Sequence, residues 1–190
     1  MAERKVLIEV SARHVHLSAE HLAALFGPNA ELHVRKKISQ PGQFASHEIV
    51  AVIGPKAILP VRVVGPIRAE TQVELAVRDC RAIGIDTALR VSGTLDDTPG
   101  CVLEGPKGRV TLHQGVIVAQ RHLHVSPEQA QNLELKHGDK VSIRTNGSRP
   151  VTFHDVFVRS RAGVDELSFM IDTDEANTAG LKGGEEGTLV

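Results

Sequence analysis

The sequence predicts a mainly β fold: two small β-barrels with short capping helices, related by an internal repeat. The first observation behind this prediction is the period of the apolar residues, which alternate with polar ones in short segments rich in Val and Ile. The second is dense punctuation of the chain by Gly, Pro, Asp and Asn, which is typical of turns. Closing such strands into barrels removes exposed sheet edges. We expect strands near 5–10, 49–53, 61–64, 73–77, 116–119 and 140–144.

Three short helices are expected between the strands. Ser126, followed by Pro127 and Gln129, provides an N-cap, a proline at the first helical position and a capping-box partner, so this helix runs to about 133. Ser18 begins a second helix over 19–26, and Gly27 ends it. A third helix covers about 174–179.

The third observation is the repeat itself. Residues 8–20 can be laid over residues 116–128, and Arg, two His, Ser and Glu coincide in the two copies. Each copy reads as a strand, then Arg-His-x-His, then a Ser-capped helix. We therefore predict two related halves, 1–108 and 109–190, with strands that can be exchanged between the barrels.

Composition excludes several classes of protein. Lys and Arg number 22 against 23 Asp and Glu, so the chain is neither a disordered polyelectrolyte nor a general binder of nucleic acid. No apolar run approaches the length of a membrane span, and residues 1–5 do not resemble a signal peptide. Cys80 and Cys101 form no Cys-x-x-Cys motif, and we expect both to be buried thiols in a cytoplasmic protein.

Histidine is the unusual residue, with ten copies in a chain that has no Trp or Tyr. On a strand, residues i and i+2 face the same side, so His14 pairs with His16 and His122 with His124. Two adjacent imidazoles form half of a zinc site, and a third ligand must come from elsewhere. Pairs that merely line a polar surface are the alternative, which the repetition of the motif disfavours. If the halves pack with twofold pseudosymmetry, the four histidines converge and a two-metal centre results.

Other charged residues allow less specific interpretations. The simplest role of Arg13 and Arg121 is an ion pair that locks the end of each His-x-His strand. Arg62 and Arg68, which flank the turn at 65–66, suggest an anionic ligand. The remaining histidines show no ligand spacing and are expected at the surface or at caps: His21, His33, His47, His113, His137 and His154.

Five ordered motifs resemble the phosphate propanoyltransferase family, the phosphotransacylases associated with propanediol-utilisation microcompartments. The motifs lie at 10–18, 39–45, 71–75, 121–124 and 171–177, and they cover nearly the whole chain. The resemblance implies two small β-barrels with an active site between them that holds two zinc ions. It also implies a reaction between a short-chain acyl-CoA and inorganic phosphate that gives an acyl phosphate and free coenzyme A.

The resemblance assigns roles to individual residues. It implies that His14, His16 and Glu74 bind the first zinc and that His122 and His124 bind the second. Arg68 matches the arginine that holds phosphate. The positions that resemble contacts to coenzyme A are Ser11, Lys36, Arg62, Val64 and Asn177.

One position departs from the family pattern. The family usually has a histidine for the second zinc just before the 171–177 motif, where this chain has Met170. A thioether suits Cu(I) better than Zn²⁺, so we expect a weaker second site. His154 is a candidate replacement ligand.

We expect phosphate to attack the thioester directly, because no Cys/His or Ser/His/Asp arrangement supplies a nucleophile. The rivals are an acyl-enzyme on Cys80 or Cys101, a zinc-dependent thioester hydrolase and a non-catalytic module that binds coenzyme A. Neither nucleic acid nor membrane is an expected partner. The oligomeric state and packaging in a microcompartment stay open, although only about five residues precede the first strand, which favours a free cytoplasmic enzyme.

Overall fold

A computed structural model describes residues 4–190 of the chain. Residues 1–3, which belong to the segment assessed for a signal peptide, lie outside the described residues. The strands are β1 (Arg4–Ser11), β2 (His14–His16), β3 (Val34–Lys37), β4 (Phe44–Ile53), β5 (Ile58–Gly65), β6 (Gln72–Glu74), β7 (Leu89–Arg90), β8 (Cys101–Glu104), β9 (Arg109–Leu112), β10 (Val116–Ala119), β11 (His122–Val125), β12 (Lys140–Thr145), β13 (Thr152–Ser160), β14 (Ser168–Asp172) and β15 (Glu186–Leu189). The helices are α1 (Ala19–Phe26), α2 (Val77–Ile83), α3 (Pro127–Leu133) and α4 (Thr173–Ala179). The prediction of a mainly β fold is confirmed.

The described chain forms two compact units. The barrel unit comprises 4–12, 39–41 and 120–190, and the sheet unit comprises 13–38 and 42–119. The units therefore depart from the predicted halves 1–108 and 109–190. The reason is strand pairing: β1 pairs with β14 and β15, whereas β10 pairs with β6 and β7.

The barrel unit is a closed barrel with strand order β1-β14-β11-β13-β12-β15, and β12 and β15 complete the ring with β1. Apolar side chains that alternate along these strands fill its interior. Ile8, Leu123, Ile143 and Phe169 are all fully buried in this core. At roughly 1.5–3 kcal/mol for each large apolar side chain buried, such a core fixes which face of every strand points outward.

The sheet unit holds nine strands in the order β7-β10-β6-β2-β5-β4-β8-β9, with β3 paired to β4, and the sheet is curled into a half-barrel. Its core is separate and contains Val15, Leu17, Val63 and Leu103. The sequence predicted a second barrel, and in the structure this unit is an open, curved sheet.

The caps predicted from the sequence are present. Ser126 accepts from the backbone N–H of Gln129, whose side chain bonds back to the Ser126 N–H, which completes a capping box. Ser18 caps α1 as expected. At α4, Asp172 and Glu175 form a second capping box that was not predicted. These caps fix the points at which the His-x-His strands and β14 pass into helices.

Helix α2 was not predicted. The segment 73–77 reads as a strand, but pairing ends at Glu74 and Val77 already begins the helix. Ala76, Cys80 and Ile83 are buried at helical spacing, and Gly84 ends the helix in a left-handed conformation.

Candidate metal centre and active site

The first histidine pair lies on β2, in the middle of the sheet unit. Val15 points into the core and is fully buried, so His14 and His16 project together from the opposite face. Their Nε2 atoms are 3.2 Å apart. The predicted pairing of these two side chains is confirmed.

Glu74 joins this pair from the neighbouring strand. Strands β2 and β6 run antiparallel with His14 directly opposite Glu74, which places the carboxylate on the histidine face. Glu74 Oε2 is 3.5 Å from His14 Nε2, and Oε1 is 4.0 Å from His16 Nε2. One ligand atom from each of the three residues lies within 4.8 Å of the others. Among the described residues, this is the one group of three or more His, Cys, Asp or Glu side chains with the geometry to hold a metal ion.

Two side chains that sequence reasoning missed orient the Glu74 carboxylate. The Ser92 hydroxyl donates to Glu74 Oε1 at 2.7 Å, and the Gln72 amide donates to the same oxygen. Gln72 lies two residues before Glu74, so strand periodicity could have placed it on this face. No sequence signal points to Ser92. Because both donors bind Oε1, Oε2 keeps its lone pairs directed towards His14.

The proton on His16 is placed by the backbone of β5. His16 Nδ1 is 2.9 Å from the carbonyl oxygen of Val64, and since a carbonyl only accepts, Nδ1 must carry the hydrogen. Burial lowers the pKa of His16 from 6.5 to about 3, and His14 and Arg68 act in the same direction. At neutral pH, His16 is therefore a neutral imidazole whose Nε2 lone pair faces the cluster.

Glu74 carries the negative charge of the cluster. Burial by itself raises the pKa of this carboxyl group, whereas the interactions with His14 and His16 lower it. The Ser92 hydroxyl and the charge of Arg68 lower the pKa further. The side chain is ionised at neutral pH, as a metal-binding carboxylate must be.

The second histidine pair has the same local geometry in the barrel unit. It lies on β11, where Leu123 is fully buried and His122 and His124 project from the other face, with Nε2 atoms 3.0 Å apart. His122 Nδ1 donates to the carbonyl oxygen of Gln120 at 2.8 Å. His124 Nδ1 lies 2.7 Å from a carboxylate oxygen of Asp165.

Both hydrogen bonds hold the ring proton on Nδ1, so two Nε2 lone pairs face each other. Two lone pairs at this distance repel each other. A cation or a proton between them removes the repulsion, and imidazole nitrogen is a preferred zinc ligand. The second pair, His122 and His124, therefore fits half of a metal site.

Asp165, which contacts the second pair, was also not predicted from the sequence. It lies in the loop before β14 and is almost fully buried. Burial raises the pKa of this carboxyl group, but hydrogen bonds from His124 and Arg161 outweigh burial and lower it to about 2. The spacing in the sequence gives no indication that Asp165 reaches His124.

Met170 occupies the register position at the second pair that Glu74 occupies at the first. In the antiparallel pairing of β11 with β14, Met170 lies directly opposite His122, as Glu74 lies opposite His14. His154, the candidate replacement, is exposed, and its ring bonds to the Ser142 hydroxyl at 2.8 Å. Among the described residues, no third carboxylate, thiol or imidazole joins the second pair in a three-ligand cluster.

Arg68 stands beside the first cluster. Gly65 ends β5 and packs against Phe44 so closely that a Cβ at Gly65 would lie 2.4 Å from the phenyl ring. Three residues later, the Arg68 N–H donates to the carbonyl oxygen of Leu17 at 2.9 Å, which fixes the backbone next to α1. The guanidinium acts electrostatically on both His16 and Glu74, so its positive charge belongs to the same site.

The five positions assigned to coenzyme A lie in both units. Val64 and Arg62 are on β5: the former binds His16, and the latter donates from Nη1 to the Ser46 carbonyl oxygen at 2.6 Å. Arg62 is also the parallel register partner of His14. Lys36 is exposed on β3, Ser11 ends β1 and Asn177 is exposed on α4.

The two arginines before the histidine pairs form the predicted ion pairs. Arg13 Nη1 lies 3.1 Å from Asp79, and Arg121 Nη1 lies 2.8 Å from Glu175. Each carboxylate is the third residue of a helix, in α2 and α4 respectively, so the repeat extends to the helix to which each arginine is anchored.

Comparison with known proteins settles the family. The family model for phosphate propanoyltransferase matches residues 7–182. The chain belongs to this family. It is 50% identical over 180 residues to a phosphate propanoyltransferase of Rhodopseudomonas palustris, covering 94% of this chain and 79% of the relative.

Other members of the family match over similar lengths. The phosphate propanoyltransferase of Leptotrichia buccalis is 46% identical over 184 residues, covering 96% of this chain and 87% of the relative. That of Listeria monocytogenes is 42% identical over 192 residues, covering 100% and 89%. The family resemblance and the prediction of an acyltransferase enzyme are confirmed. No helix among the described residues has both the length and the apolar character needed to span a membrane.

Proposed function

We propose that the chain interconverts a short-chain acyl-CoA, such as propanoyl-CoA or acetyl-CoA, and inorganic phosphate with an acyl phosphate and free coenzyme A. The observation that carries the proposal is the cluster of His14, His16 and Glu74 in a chain of a phosphate acyltransferase family. The cluster offers two imidazoles and one ionised carboxylate on neighbouring strands of one sheet.

Zinc suits this donor set. Catalytic zinc sites commonly use three His or carboxylate ligands and leave a fourth position for water or substrate. His14 and His16 would supply nitrogen, and Glu74 would supply oxygen from the side not bound by Ser92. When bound, zinc supplies Lewis-acid catalysis by polarising substrate oxygen and compensating developing negative charge.

We extend the proposal to a second metal held by His122 and His124. The facing Nε2 lone pairs support it, and the missing third protein ligand opposite His122 makes this site the weaker of the two. Waters would complete its coordination.

Arg68 binds the phosphate in this proposal. A guanidinium matches the geometry of phosphate oxygens and keeps its charge at all physiological pH values. Held beside His16 and Glu74, it would orient one phosphate oxygen towards the thioester carbonyl carbon and offset the charge brought into the site.

The reaction then balances without a protein nucleophile. A phosphate oxygen forms a bond to the carbonyl carbon, the carbon–sulfur bond breaks, and the coenzyme A thiolate leaves. The proton of the hydrogen phosphate ends on the sulfur. We keep Ser11, Lys36, Arg62, Val64 and Asn177 as the proposed contacts to coenzyme A.

The test is an assay of purified protein with propanoyl-CoA, with and without phosphate, that follows free thiol and acyl phosphate together. We expect both products only when phosphate is present. Release of thiol without phosphate would instead support a zinc-dependent thioester hydrolase, and no turnover with retained binding of coenzyme A would support a non-catalytic module. The expected cytoplasmic location, association with a microcompartment and self-association stay predictions.

A further inference from the structure

The barrel unit contains an ion pair directly behind the second histidine pair, between the buried carboxylate of Asp165 and the partly exposed side chain of Arg161. Asp165 is 1% exposed, and its Oδ1 accepts from His124 Nδ1 at 2.7 Å. Arg161 donates two hydrogen bonds to the same carboxylate, from Nε to Oδ2 at 3.0 Å and from Nη2 to Oδ1 at 2.9 Å. The result is a chain of contacts from Arg161 through Asp165 to His124.

This arrangement determines the tautomer and the ring orientation of His124. A carboxylate on Nδ1 holds the proton there, prevents rotation of the ring and makes Nε2 a stronger electron donor. Arg161 in turn fixes the orientation of the Asp165 carboxylate, since its guanidinium binds both oxygens in fork geometry. The Nε2 of His124 is thereby directed at His122.

The two histidine pairs differ in where their negative charge lies. At the first pair, Glu74 faces the Nε2 atoms, while His16 Nδ1 binds the neutral carbonyl of Val64. At the second pair, the position facing the histidines is taken by Met170, while the carboxylate lies behind the ring of His124. A buried carboxylate therefore contacts each pair, but Glu74 lies on the Nε2 side of the first pair and Asp165 on the Nδ1 side of His124.

We propose that Asp165, clamped by Arg161, is a positioning residue that gives the second histidine pair the negative charge that Glu74 gives to the first. It raises the affinity of His122 and His124 for a divalent metal, although no third His, Cys, Asp or Glu of residues 4–190 joins them in a three-ligand cluster. This inference rests on the second metal site of the proposed function. A purely structural Asp165–Arg161 pair would stabilise the loop 161–165 without affecting metal binding.

Metal binding without substrate separates these two roles. A His14→Ala background weakens the first site, and Zn²⁺ affinity is then measured by competition with a chromophoric chelator, with Co²⁺ absorption as a second readout. Asp165→Asn keeps a hydrogen-bond acceptor of the same size but removes the charge. We expect about 10- to 100-fold weaker binding, the usual cost of losing such an outer partner. The matched control is Asp155→Asn, an exposed carboxylate of the same unit that pairs with Lys140, and it should leave affinity unchanged.

Two further variants separate the effect of the Asp165 charge from that of an unpaired Arg161. Arg161→Gln combined with Asp165→Asn removes both charges, so weak binding in this variant cannot come from an unpaired Arg161. Arg161→Gln alone keeps the carboxylate but releases its clamp, and it decides the question if Asp165→Asn does not fold. Weaker binding is expected in each.

The possible failures are distinct. Unchanged affinity in Asp165→Asn and Arg161→Gln, in a background that still binds metal, overturns the role of Asp165 and leaves the proposed function standing. A background protein that binds no metal at His122 and His124 overturns the second site, and this inference with it.

Discussion

Met170 lies directly opposite His122 in the antiparallel pairing of β11 with β14. Glu74 takes the same place opposite His14 in the pairing of β2 with β6. The histidine strands thus have equivalent neighbours in the two units, but one neighbour offers an ionised carboxylate and the other a neutral thioether.

The first metal should bind more tightly than the second. Three protein ligands including a carboxylate outweigh two imidazoles, because each further ligand adds binding energy and the carboxylate adds charge compensation. Stepwise removal with a mild chelator, followed by metal analysis, should release one equivalent before the other. Two equivalents that resist chelation equally would contradict this ranking.

Met170→His should strengthen the second site. A histidine opposite His122 would provide the third nitrogen ligand. We expect the affinity for Zn²⁺ to rise about tenfold or more, because loss of even a hydrogen-bond partner of a metal ligand commonly lowers metal affinity by about that factor. Met170→Leu is the control, since it keeps an apolar side chain of similar size. Equal zinc affinity in the two variants would show that position 170 does not reach the metal.

His14→Ala should abolish turnover while the chain stays folded. His14 is partly exposed at the sheet surface, so its loss removes a proposed ligand without opening a cavity in the core. Activity and circular dichroism are measured together. His47→Ala, which removes an exposed imidazole from the same unit, should retain activity. An active His14→Ala enzyme would refute the first metal site.

Arg68→Ala should impair the use of phosphate. Loss of a charge-assisted contact worth about 1.5–3 kcal/mol corresponds to a decrease of roughly 10- to 100-fold in kcat/KM for phosphate. The KM for acyl-CoA should change much less. Arg109→Ala is the control, because Arg109 forms an exposed ion pair with Glu104 in the same unit. An unchanged phosphate dependence would remove Arg68 from the proposed role.

Replacement of both cysteines by Ala should leave the specific activity intact. Cys80 and Cys101 are both buried, and burial raises the pKa of the Cys101 thiol to about 12, so Cys101 carries no nucleophilic thiolate at neutral pH. Some loss of stability is expected from the cavities. Loss of turnover in a folded double variant would favour an acyl-enzyme over direct attack by phosphate.

Local sequence signals were sufficient for many elements of this fold. The caps at Ser18 and Ser126 and the alternation around Val15 and Leu123 predict the helices and the histidine face. These signals fail at α2. The segment 73–77 alternates like a strand, but buried residues at helical spacing begin within it and continue to Ile83. A short apolar segment fits both periods, and only packing against the core chooses between them.

The sequence by itself determined the family and the two His-x-His strands, because both are carried by short local motifs. Only the tertiary structure decided which residues complete the sites. Ser92 reaches Glu74 from 18 residues away, and Asp165 reaches His124 from 41 residues away. Such contacts arise from strand pairing and burial, which join residues that no local spacing connects.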